Sequence, residues 1–219
     1  MDFDPSYMWS AMPRLLDGAV ITLQLVVAAL VLSVFLATAL TVARSSEIRP
    51  LVMAVNVYIS FVRGTPLLVQ LFLVFYVLPS IGLDLSPIMA GIITLGFNSA
   101  AYSAEIMRGG LAAIPKGQLE AARSLGLGPV VIWGRVILPQ MFHLITPPLV
   151  NEFTLVIKTS PLVSVITVVE IMRTAQQIYN ANYRPIEVLV GAAVVYFVII
   201  YTISRLGVRL ERRNALKLA

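Results

Sequence analysis

Residues 19–43 contain no Asp, Glu, Lys or Arg. As a helix, these roughly 25 residues rise about 37 Å, enough to cross the apolar core of a bilayer. Inside that core a backbone must satisfy its own polar groups, and a single uninterrupted segment does so only as a helix. The rest of the chain follows the same logic. Apolar residues make up 58% and charged residues 12%, against soluble averages of about half and a quarter. The expectation is an all-α integral membrane protein forming one transmembrane domain over residues 1–219, with five spans near 19–43, 51–78, 88–108, 136–158 and 186–206.

The connecting segments set the orientation. Arg44, Arg49, Arg108, Lys116, Arg123, Arg135, Arg205, Arg209, Arg212, Arg213 and Lys217 fall on one side of the spans; Arg14, Lys158, Arg173 and Arg184 fall on the other. The positive-inside rule assigns the first group to the cytoplasm, with the N-terminus outside and the C-terminus inside. The net charge of +5 therefore reads as membrane topology, and no nucleic-acid partner is expected. Residues 1–18, with Phe3, Tyr7 and Trp9 among Asp2, Asp4 and Arg14, read as an interfacial segment with aromatic anchors. The acidic start argues against a signal peptide, so no cleavage is expected at Ala37-Thr38-Ala39. The chain has no cysteine and a single histidine, His143, which removes disulfides, thiolate sites and His-based metal clusters from consideration.

Two spans carry unusual residues. The second is interrupted by Arg63-Gly64-Thr65-Pro66. This reads either as an interfacial hinge whose arginine snorkels to headgroups, or as a broken helix facing a permeation path. The third is rich in Gly, Ala and Ser, which let helix backbones approach closely. Its Thr94, Asn98, Tyr102 and Glu105 recur at intervals of four, four and three, giving one polar, inward-looking face. In the fourth span Pro139 and Pro147-Pro148 are expected to bend the helix. That span's Glu152 stands about 24 Å from the cytoplasmic end. Residues 159–172 are too short to cross and read as a re-entrant or outer-side helix, followed by a polar loop over 175–184.

The loop at 109–135 is the most specific stretch. Residues 118–125 suit a short helix, with Leu119, Ala122 and Leu125 at helical spacing and Glu120 placed to face Arg123. Gly126 can close it in a left-handed conformation, and Pro129 can open a second short helix as its first residue. A compact bent pair on a charged loop, with no group for covalent chemistry, reads as a docking element; the plainer alternative is a simple connection.

Glu120-Ala121-Ala122, three residues, Gly126, nine residues and then Val136-Ile137-Leu138-Pro139 resembles the EAA loop of permease subunits of ABC importers. Val136 stands where that pattern usually has Ile. The segments 63–70 (RGTPLLVQ), 104–111 (AEIMRGGL) and 151–153 (NEF) resemble the polar amino-acid subgroup, and the likeness covers nearly the whole chain. Ser160-Pro161-Leu162 departs from the pattern, which usually has Asp or Thr followed by Ser-Ser-Leu or Thr-Ser-Leu. The resemblance implies an ATP-driven importer for a polar amino acid or related solute. It implies a second permease subunit, identical or related, two cytoplasmic ATPases that bind ATP and Mg, and an extracytoplasmic solute-binding protein. This chain itself is expected to bind no cofactor. Gln118, Glu120, Ala121, Ala122, Ser124, Leu125 and Gly126 become the expected ATPase-coupling residues, and Arg63, Thr65, Asn98, Asn151 and Glu152 the expected substrate path. For Glu152 two roles stay open: a buried bridge to Arg63, or contact with a cationic group of the solute. A non-transporting scaffold and an intramembrane enzyme are the alternatives. The enzyme lacks every nucleophile, metal and phosphate-loop motif it would need.

Overall fold

The computed structural model describes residues 3–215, with side chains to residue 209; the tail basic residues Arg212, Arg213 and Lys217 lie outside the described side chains. The described residues are mostly helical: α1 (Pro5–Arg44), α2 (Arg49–Gly64), α3 (Leu67–Phe72), α4 (Pro87–Ala112), α5 (Lys116–Ser124), α6 (Pro129–Val131), α7 (Leu138–Thr159), α8 (Ile171–Asn182) and α9 (Pro185–Ala215). Wider π-helical turns continue α3 over Leu73–Val77 and join α6 to α7 over Ile132–Ile137. Three continuous helical runs are long and apolar enough to cross a bilayer: Pro5–Arg44, Pro129–Ile166 and Pro185–Arg209. Arg49–Gly64 and Leu67–Ile81 pass the same test together, bent by 110°. At 26 residues α4 also has the length, about 39 Å, but its polar and small residues dilute its apolarity.

Residues 5–18 do not form a separate interfacial segment, as the sequence suggested. They extend the first span into one helix of 40 residues. Asp4 caps it, accepting from the Ser6 N–H at 2.9 Å, and that hydrogen bonding holds the Asp4 carboxyl below the usual range. Pro13 is carried inside the helix.

α1 and α4 run side by side in the same direction and form the most extensive interface. Leu25 lies against Gly91, Leu32 and the Ala29 carbonyl against Gly96, and Thr41 against Met107. Glycine at 91 and 96 is what lets the helices close: a Cβ at Gly96 would come within 2.8 Å of Leu32 Cδ2 and 3.1 Å of the Ala29 oxygen, so the close-packed neighbours would have to give way. α7 runs back along α4, with Ile145 filling the space above Gly110, and α9 closes the bundle through Gly207 against Val150. The C-terminal ends of α1, α4 and α9, together with α5, therefore gather at one end of the bundle, with Arg44, Arg108, Lys116, Arg123, Arg205 and Arg209 on them.

At the other end, residues 175–182 are helix, and only Tyr183 and Arg184 of the expected loop are not. Glu170 caps α8 by accepting from the Arg173 N–H at 2.8 Å, and Ile171, Thr174, Ala175 and Ile178 form its buried face. The turn before it, Ser160–Ile166, carries Pro161 at its start and closes at Thr167, whose φ is 71°.

Candidate functional site

The loop helix α5 is nine residues long, below the length at which helices persist alone. Two devices hold it. Ala122 is buried, and Leu119 packs with Leu111, Ile114 and Val136 around Ile132 and Ile137. Gly126, at φ +71°, ends the helix with a paired cap: the Leu127 N–H donates to the Ala122 oxygen at 3.2 Å and the Gly126 N–H to Arg123 at 2.9 Å, the double bond of a Schellman motif. Ala122 thus anchors the helix to its own chain. Gln118, Glu120, Ala121, Ser124 and Leu125 form the free surface, with Leu125 77% and the neighbouring Val130 85% exposed. The expected Glu120–Arg123 ion pair does not form, so both charges stand free at the surface.

At the broken span, Pro66 and the Thr65 turn force the 110° bend, and Gln70 repairs it. Its Nε2 donates to the oxygens of Val62 at 2.8 Å and Thr65 at 3.1 Å, and to Thr65 Oγ1 at 2.9 Å. Its Oε1 accepts from Asn98 Nδ2 at 3.0 Å. Thr65 and Asn98, expected together from the sequence, do meet, through a residue that had not been assigned a role. A groove of about 390 Å³ opens beside this network, lined by Tyr58, Phe61, Gln70, Thr94 and Phe97 among others.

Arg63 is not the partner of Glu152. Its guanidinium lies 3.8 Å from Glu105 Oε2 and 5.4 Å from the Tyr102 ring centre. Glu105 is a hub: it also pairs with Arg44, and Oε2 accepts from Arg108 Nη2 at 2.8 Å and Nε at 3.1 Å. One carboxylate thus ties α1, the elbow of α2 and α4 at the basic end of the bundle. The reason lies in the parallel packing of α1 and α4, which brings Arg44 level with Glu105 and leaves Glu152 on another face. Glu152 is buried, 7% exposed, and the polar side chain it faces is Ser99. Asn151, beside it, is exposed.

A helical bundle with a broken helix, a buried carboxylate and a projecting, separately capped loop helix defines a membrane subunit that works with a partner. Residues 29–215 match the family described as binding-protein-dependent transport system inner membrane component, and the chain belongs to that family. It is 36% identical to the octopine transport system permease protein OccM of Rhizobium radiobacter, over 96% of this chain and 90% of the relative. It is 39% identical to the L-cystine transport system permease protein TcyB of Bacillus subtilis, over 92% and 86%. A solved amino acid ABC transporter with histidines superposes with a TM-score of 0.91 at 38% identity, over 97% of this chain and all (100%) of the other. The MetNI methionine transporter, at 21% identity and a TM-score of 0.74, shares the fold. The chain is accordingly a permease subunit of an ATP-driven importer of the inner membrane, and ATP hydrolysis belongs to a separate subunit.

Proposed function

We propose that this permease forms, with a second identical or related copy, the membrane path for a polar amino acid or related solute. The relatives' names give octopine and L-cystine as their cargo, and a third relative, ArtQ of Bacillus subtilis, 36% identical over 97% of this chain and 98% of its own length, is named for arginine. Five spans carry the single domain, residues 1–219. The N-terminus is outside and the C-terminus and α5 are in the cytoplasm, as the distribution of basic residues supports.

The observation that carries the coupling role is α5 itself. It projects as a capped helix whose inner face is sealed to the bundle by Ala122 and Leu119, and its outer face is left open. Gln118, Glu120, Ala121, Ser124 and Leu125 contact one of two cytoplasmic ATPases, which bind ATP and Mg. Gly126 and Ala122 fix the helix for that contact. When the ATPases close, α5 transmits the motion into α4 and α7, the helices on either side of the loop. A switch of this kind needs two packings separated by a few kcal/mol. An extracytoplasmic binding protein delivers the solute at the other end. The path runs past Asn98, Thr65 and Arg63 and past Glu152, whose carboxylate meets a cationic group of the solute. This chain binds no cofactor of its own.

Mass analysis of the complex released in mild detergent tests the assembly: two permease chains and two ATPases are expected. Recovery of this chain without an ATPase would leave it a scaffold and overturn the reading.

A further inference from the structure

The outer face of α9 changes character along its length. Val190, Val194, Phe197 and Tyr201 follow one another at helical spacing, and all are exposed; the opposite face, with Val188, Ala192 and Val195, is buried in the bundle. In a membrane protein such an exposed apolar stripe meets acyl chains. Four residues after Tyr201 the same stripe reaches Arg205, and four after that Arg209, both exposed. Phe197 and Tyr201 stack at 5.8 Å. The Tyr201 hydroxyl accepts from Arg205 Nε at 2.9 Å, and the Arg205 guanidinium lies 5.0 Å from the Tyr201 ring centre. Arg205 is thus oriented by a neighbour that takes one of its five donors and leaves the two terminal nitrogens open. Among the described residues neither Arg205 nor Arg209 has a carboxylate within 4.0 Å.

We propose that this end of α9 is a site for an anionic phospholipid, with the phosphate on Arg205 and Arg209 and an acyl chain along Tyr201 and Phe197. Two features favour a lipid over a soluble anion or a protein. The guanidinium pair continues an exposed apolar stripe of a helix long and apolar enough to span a bilayer, and the aromatic ring at the junction is the residue type that sits at headgroup level. Charge and apolar contact are therefore offered together on one face of one helix. The inference needs only that the chain spans a bilayer, so it stands apart from the solute path and from the coupling role of α5.

The test uses the intact importer complex in nanodiscs of phosphatidylcholine with a minor fraction of phosphatidylglycerol, with native mass spectrometry counting the phosphatidylglycerol retained per permease. The comparison is between wild type, the Arg205→Gln/Arg209→Gln pair, and Arg49→Gln/Arg173→Gln as a control that removes the same charge elsewhere. Each basic group near a membrane surface contributes about fivefold to anionic-lipid affinity. The α9 pair should therefore lower affinity about 25-fold while the control retains the lipid, and Arg205→Lys/Arg209→Lys should restore most of it. Equal retention by wild type and the α9 pair, or equal loss in the control, overturns the proposal. So does a cross-link from a Cys at Val208 that captures a protein chain over this face.

Discussion

Replacing Gly126 by valine isolates the loop helix from everything else in the protein. The backbone at this position is left-handed, φ +71°, and a Cβ there would meet nothing within 4 Å. The cost is therefore conformational alone: about 1–2 kcal/mol for an L-residue, at the upper end for a β-branched one. Relief of that strain means giving up the two cap hydrogen bonds, Leu127 to Ala122 and Gly126 to Arg123. What then holds α5 is the small contact of Ala122 and Leu119 with Leu111, Ile114 and Ile132. For so short a helix, about 1–2 kcal/mol changes the ratio of ordered to frayed states roughly 5–30-fold. The bundle is untouched, because no other element packs on Gly126. Gly126→Val should therefore insert normally and keep its thermal midpoint. ATPase co-purification and binding-protein-stimulated hydrolysis should fall about 5–30-fold. Gly126→Asn, which tolerates the left-handed region better, should lie between. Unchanged stimulation and ATPase retention in Gly126→Val would refute the argument that this cap presents the docking helix.

Glu105→Gln should lower the thermal midpoint of the complex more than Glu152→Gln does. It leaves three guanidiniums without their shared carboxylate, a loss of about 1–3 kcal/mol once the partial exposure of the arginines is allowed for; equal midpoints would contradict the hub. Arg63→Met should mimic a mild Glu105→Gln and should not mimic Glu152→Gln. The latter should leave assembly and basal ATPase intact while uptake falls, most for cationic solutes; wild-type uptake over a full concentration range would remove Glu152 from the path. In this cysteine-free chain, Cys at Gln118 should react with an impermeant thiol reagent only from the cytoplasmic side and Cys at Gly82 only from outside; reversed labelling would invert the orientation.

Features written in short local patterns were legible in the sequence. Gly126 and Pro129 carry their conformations with them, so the bent pair of loop helices follows from residue type. The break at Thr65-Pro66 follows likewise, since proline cannot continue the hydrogen-bond ladder. Residues whose role depends on which helices lie together were not legible. The sequence offered Arg63 a single carboxylate partner, Glu152. The packing of α2 on α4, with Val55, Ile59 and Val62 against Ala100, Ala101 and Ala104, brings it to Glu105 instead. Gln70 lies in an apolar run and gains its role from the bend that it repairs. α8 was obscured by composition: Ile171, Thr174, Ala175 and Ile178 have the right spacing, yet the intervening Gln, Asn and Arg residues read as loop until Glu170 is seen to cap it.

Uptake into proteoliposomes tests the central claim most directly. The complex would be reconstituted with its ATPase, its binding protein placed opposite the ATPase face, and labelled arginine, cystine, glutamine and the remaining protein amino acids offered in turn. The account predicts that at least one polar amino acid accumulates on the α5 side, only with Mg-ATP and binding protein present, and that accumulation collapses in Gly126→Val. An assembled complex that hydrolyses ATP in response to its binding protein yet accumulates none of these amino acids would contradict it.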